Sequence, residues 1–203
     1  FNPKLFSENK LGFKKTGVFR TKFLIETVGN LKENLKKHNI SLIIKIGDPV
    51  EELSNVITEQ NITNIYLQKE WTKEELDEEV HLKSKSTNVL FHSTYDQFLY
   101  HPDDIDNLFI SDVFTNFRKY CEKKVNVRNL TVNSYKLTSE NLLKENYEVP
   151  SLNQLGFDDF ILDNRSAFNF SGGSESAKQR LNQYLWKSRK INFYKKTRNG
   201  LIG

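Results

Sequence analysis

The sequence predicts an α/β fold, a parallel sheet flanked by helices, followed by a long connector and a basic helical segment. Three observations carry that expectation. Apolar residues recur at helical spacing from Phe19 to Leu35, and short β-branched runs alternate with helical stretches between Leu42 and Phe91. The charge, finally, collects at one end: from Ser176 onward there are eight Lys or Arg residues and no Asp or Glu, in a chain whose net charge is only +4.

Phe1 to Thr16 reads as a loop punctuated by Pro3 and Gly12, and the first helix is expected from Val18 to Lys37, with Phe19, Phe23, Leu24, Val28, Leu31 and Leu35 on one face. Leu42–Ile46 has the composition of a buried parallel strand. Gly47-Asp48-Pro49 ends it and opens a helix, with Asp48 at the cap, Pro49 in the first turn and Glu51 placed to complete a capping box. Ile62–Leu67 makes a second strand, Thr72–Lys83 an acidic helix and Val89–Phe91 a third strand. This alternation is that of a Rossmann-like parallel sheet with crossover helices.

Ser111–Lys123 is expected to be helical, with Val113, Phe114, Phe117 and Tyr120 turned inward and Cys121 an inert buried thiol. Asn126 to Asp163 reads as a connector across the surface, turning at Pro150 and Gly156 and anchored by Phe157, Phe160 and Ile161. Gly172-Gly173 is a break. A helix then starts with Ser174 as its cap and buries Ala177, Leu181, Tyr184, Leu185 and Ser188. Tyr184 and Trp186 suit a core. The cationic rim with Phe193 and Tyr194 interleaved also suits phosphates and stacked bases, and composition does not choose between the two.

Several classes are excluded or weakened. No apolar run approaches the ~20 residues of a membrane helix, and FNPKLFSENK has no apolar segment after a basic start. One cysteine rules out an internal disulfide, so a reducing, cytoplasmic setting is the simplest expectation. The four histidines show no metal-helix spacing, and Asp103-Asp104 reads as a surface turn rather than a catalytic dyad. No phosphate-loop, dinucleotide or nucleophile-elbow motif occurs.

Four stretches resemble the DASH-type branch of the DNA photolyase and cryptochrome family. They are Gly172 through Tyr184-Leu185-Trp186 with Tyr194–Gly203, Lys15–Arg20 with Phe23–Val28, Tyr66-Leu67-Gln68-Lys69-Glu70-Trp71 through Glu75, and Tyr100–Asp104. Lys123 to Val149 carries little of the likeness. The resemblance implies a photolyase antenna domain over residues 1–125, an interdomain connector over 126–171, and the first helices of an all-α FAD-binding domain over 172–203. The chain contains no methionine, even at position 1. By comparison with the family, further strands are expected before Phe1, and the serine-rich flavin-phosphate loop after Gly203.

What the resemblance implies for function is specific. Full-length relatives split cyclobutane pyrimidine dimers, especially in single-stranded DNA, by blue-light-driven electron transfer from reduced FAD, aided by a methenyltetrahydrofolate antenna. Glu70 is the best-aligned position for the carboxylate that hydrogen-bonds the folate pterin, with Glu74 second and Gln68 beside it. Tyr194 matches a tyrosine at the FAD phosphates and Arg198 an arginine that contacts DNA. No catalytic or metal-binding residue is assigned. On this reading the chain by itself does not repair DNA, and a monomer is expected. Two rivals stay open: a signalling cryptochrome that does not repair, and a generic nucleotide-binding α/β domain with a basic helical tail.

Overall fold

The computed structural model describes all residues except 107–110, 132–136, 164, 166–169 and 201–203. The chain forms two compact units, one of Asp48–Ser134 and one joining Phe1–Gly47 with Tyr135–Gly203.

In the first of these, an apolar face on α2 (Pro49–Glu59) and another on α3 (Lys73–Lys85) pack together and bury Val50, Val56 and Leu82. Asp48 caps α2, its Oδ1 accepting the Val50 amide at 3.1 Å with Pro49 in the first turn. Glu51, which the pattern assigned to a capping box, pairs with Lys85. The unit's two strands, β1 (Asn64–Gln68) and β2 (Leu90–Thr94), pair in parallel, in register from Asn64 opposite Leu90 to Gln68 opposite Thr94. Because side chains alternate along a strand, Ile65, Leu67 and Phe91 share one face. Tyr66 and His92 stack on the other, 4.5 Å apart at 14°. Further along, α4 (Phe114–Lys124) buries Cys121 and is followed by the buried Val125. Of the inward face expected there, Phe117 and Tyr120 are half-buried and Cys121 is buried, but Phe114 is 71% exposed and Val113 also faces solvent.

The other unit is built on α1 (Val18–Lys37), which matches the expected helix end to end. Thr21, the fully buried residue on it, donates its hydroxyl to the Gly17 carbonyl at 2.9 Å. Phe6 is buried against Phe1 and, edge-on, Phe157. Phe160 packs edge-on against Phe19 at 4.9 Å. Gly156 turns the chain at φ 79°, as its position in the connector requires, but Ile161 is 97% exposed and anchors nothing.

Leu42–Ile46 is not a strand, which corrects the three-strand expectation. A strand is defined by its ladder, and here the backbone bonds go to the chain's first residue. The Phe1 ammonium donates to the Lys45 carbonyl at 2.7 Å and the Gly47 amide to the Phe1 carbonyl at 3.1 Å. β-Branched composition reports burial and extension, not a partner.

Candidate functional site

Two places collect the residues that the sequence singled out, one in each unit. The first is the carboxyl end of β1, where parallel sheets in α/β folds present their ligands. Gln68 ends the strand and Glu70 follows two residues later, so the two side chains reach the same side. Gln68 Nε2 donates to Glu70 Oε1 at 2.8 Å. That bond fixes the carboxylate and leaves its second oxygen to accept from elsewhere.

Both residues line a cleft of about 190 Å³ whose floor is apolar, made by Val50, Leu53, Ile65, Leu67, Leu82 and Phe91. Its rim is acidic. Glu75, Glu78 and Glu79 project into it from α3, and no Lys or Arg is among its described lining residues. Glu74, the neighbour named from sequence, is exposed and does not line the cleft. The missed signal was helical phase: Glu75, Glu78, Glu79 and Leu82 fall on one face of α3, and the buried Leu82 marks that face as inward. Thr72, at the cap of α3, bonds Glu75 and so orients it, while Lys83 and the Ser93 hydroxyl engage Glu79.

Beside the cleft, aromatic side chains gather that the sequence had not grouped. Trp71 stacks on Tyr95 at 5.1 Å and meets Phe98 at 4.8 Å, and Tyr95 meets His101 edge-on at 5.7 Å. Lys69 lies over the Tyr95 ring at 4.7 Å, and its hydrogen bond to Tyr95 raises its pKa above the ordinary lysine value. The Asp pair sits on a short turn, Pro102–Asp104. Asp104 takes a two-point bond from Arg128, both at 2.7 Å, and this bond holds its carboxyl below the usual range. Asp103 meets His101 instead, at 3.7 Å, so the two carboxylates have separate partners.

The second place is the basic segment. α5 (Ser174–Asn182) runs into a π-helical turn at Gln183–Lys187, a short 3-10 stretch at Lys190–Phe193 and α6 (Tyr194–Thr197). Arg189, at φ 51°, makes the corner. Tyr194 and Arg198 are four residues apart on the same face, the Arg198 amide bonding the Tyr194 carbonyl at 2.8 Å, and both side chains are exposed.

Two expectations fail here in whole or in part. The cap of α5 is Gly173, not Ser174. Of the stripe expected to be buried, Tyr184 and Leu185 are half-buried but Ala177 is exposed and Leu181 is 56% exposed, and Trp186, expected in a core, is 73% exposed. Instead, Ala177, Leu181 and Tyr184 line an apolar groove with Phe23 and Phe170, and the Arg180 guanidinium lies over the Phe170 and Tyr184 rings.

Among the described residues no cluster of His, Cys, Asp or Glu is placed to hold a metal, and no helix is long and apolar enough to cross a membrane. The cryptochrome DASH of Xenopus laevis is 36% identical over the whole chain, which spans 40% of that relative, and that of Gloeobacter violaceus is 33% identical, with 41% spanned. The chain thus covers less than half the length of these relatives. Among solved structures, a Synechocystis cryptochrome superposes with a TM-score of 0.86 at 33% identity, over 98% of this chain and 42% of that one. A bacterial class III photolyase from Agrobacterium tumefaciens shares the fold alone, with a TM-score of 0.64 at 17% identity over 81% of this chain and 35% of its own. Since the family model described as DNA photolyase matches residues 2–134, the chain belongs to the DNA photolyase family.

Proposed function

We propose that this chain is the antenna-side part, with the start of the helical domain, of a DASH-type flavoprotein that repairs cyclobutane pyrimidine dimers under blue light. Its substrate would be UV-damaged DNA, preferably single-stranded, and its cofactors FAD and a methenyltetrahydrofolate antenna. The observation that carries the reading is the Gln68–Glu70 pair, held at 2.8 Å at the carboxyl end of β1 in a chain that resembles cryptochromes DASH along its whole length.

The residues fit the antenna ligand in chemistry and in part in size. A carboxylate accepts two parallel bonds from a pterin's ring N–H and amino group, and Gln68 holds Glu70 in one orientation to do so. The cleft is smaller than the ~300 to 1,000 Å³ of a site for a drug-sized ligand, so it accommodates a ring and leaves the rest of a folate outside. The acidic rim disfavours a phosphate-bearing chromophore in the same place.

For FAD this chain offers one candidate contact, the Tyr194 hydroxyl, and for DNA the exposed Arg198 amid the basic segment. When bound, reduced FAD would supply the photoexcited electron. The chain's own groups would hold the chromophores and bring DNA phosphates near. On this division of labour residues 1–203 alone do not repair DNA, and the protein works as a monomer in the cytoplasm.

The deciding experiment is a blue-light-dependent dimer-repair assay on the full-length protein with single-stranded damaged DNA. Repair that needs light supports the reading. Flavin binding without repair would point to a signalling cryptochrome, and neither to a generic nucleotide-binding domain.

A further inference from the structure

The first turn of α5 lies against one stripe of α1. Glu26, Asn30 and Asn34 are spaced four apart and share a helix face. Glu26 Oε2 accepts the Gly172 amide at 2.7 Å. Asn30 Oδ1 accepts from the Ser174 hydroxyl at 3.1 Å and from the Glu175 amide at 3.4 Å, while Asn34 Nδ2 donates to the same hydroxyl at 3.4 Å.

The approach excludes side chains at the glycine pair. A Cβ on Gly172 would stand 2.3 Å from the Phe23 carbonyl oxygen and 2.7 Å from the Thr27 hydroxyl. On Gly173 it would stand 2.6 Å from Asn30 Cβ, at a φ of 102° that other residues rarely adopt.

A helix start needs acceptors for its free amides, and a negative charge suits its positive end. The cap residue of α5 is a glycine with no side chain to offer. Another helix supplies them instead: Asn30 accepts the Glu175 amide of the first turn, and Glu26, 146 residues before Gly172, accepts the amide just ahead of the cap.

We propose that Glu26 and Asn30 form a latch that fixes where α5 starts and which way it runs, which makes Glu26 a positioning residue for the downstream Tyr194 and Arg198. The link is mechanical. α5, the π-helical turn, the 3-10 stretch and α6 each pack on the next, so freedom at the first turn is passed along the segment. The consequence for cofactor rests on the flavin reading above, whereas the latch itself does not.

The test uses the full-length protein as wild type, Glu26→Ala, Glu26→Gln, Gly172→Ala and the double variant Glu26→Ala/Gly172→Ala, read by hydrogen exchange and by bound flavin per protein. Glu26→Ala is expected to speed amide exchange across residues 172–182 by about tenfold, leaving α2 and α3 unchanged. Glu26→Gln keeps a carbonyl acceptor and should restore most of the protection. The double variant should be no worse than Gly172→Ala alone, because both remove one contact. Bound flavin should fall with Glu26→Ala and recover with Glu26→Gln.

Unchanged exchange at 172–182, a loss as large with Gln as with Ala, or a rise that includes α3 would overturn the latch. Faster exchange with flavin unaltered would overturn the positioning role. A wild-type protein without flavin would sink the flavin reading instead, and the exchange data would still decide the latch.

Discussion

Replacing Glu70 by Ala tests the antenna assignment most directly. The substitution removes a carboxylate that Gln68 orients at 2.8 Å and that can offer a pterin up to two charge-assisted hydrogen bonds. Each such bond is worth about 1.5 to 3 kcal/mol when water is excluded. Glu70 is only half-buried, so solvent screening reduces the pair to about the worth of one, or ~10- to 150-fold in folate affinity. The assay is the folate-to-flavin absorbance ratio of purified full-length variants. Glu74→Ala is the control for surface charge, since its side chain lies outside the cleft, and Glu75→Ala tests the neighbour that lines it. An unchanged ratio for Glu70→Ala would refute the reasoning and leave Glu70 an ordinary strand-end carboxylate. Loss with Glu75→Ala alone would move the contact onto α3.

Arg198→Ala should weaken single-stranded DNA binding by the full-length protein and reduce the slope of log affinity against log salt by about one, and an unchanged slope would remove Arg198 from the contact. Leu82→Ala empties a buried position shared by α3 and the cleft floor, so denaturant titration should show a loss of about 2 to 5 kcal/mol. The Asp104–Arg128 pair predicts a pH dependence. Because its partner lowers the folded carboxyl's pKa, the pair contributes stability above the ordinary carboxyl value of 3.8 and loses it as pH falls through the lowered one. Asp104→Asn should therefore reduce the drop in Tm between pH 5 and about pH 2. With both side chains partly in water the effect is small, and a drop as steep in the variant as in the wild type would show that the pair contributes none of it.

How much was legible follows from what each signal encodes. Helix α1 was read correctly because spacing and terminal lysines depend only on local sequence, and the cap of α2 for the same reason. Strand pairing does not. Leu42–Ile46 carries every strand preference and still bonds to Phe1 rather than to a neighbouring strand. The position of Glu70 was legible because a strand end is a local feature, whereas the cleft rim required the phase of α3. A choice between Glu74 and Glu75 turns on one residue, about 100° around a helix. The aromatic group of Trp71, Tyr95, Phe98 and His101 had no signature at all, since its members come from separate loops.

The basic segment shows the same limit from the other side. Ala177, Leu181 and Tyr184 have the spacing of a buried stripe, and spacing reports only that a helix has an apolar side, not that the chain in hand covers it. In this structure α1 meets the start of α5 at Gly172–Glu175, and Ala177, Leu181 and Tyr184 line an open groove. Arg180 flanks that groove and is drawn over two of its rings, while the charges beyond the π-helical turn stay in solvent. Charge therefore separates the two candidate sites by the ligand class each would take. A cleft rimmed by Glu75, Glu78 and Glu79 repels phosphates, and a segment with eight Lys or Arg and no acid attracts them. Long-range attraction of phosphates to the segment, and their repulsion from the cleft, need no specific contact. They follow from where the carboxylates and ammonium groups stand in the sequence.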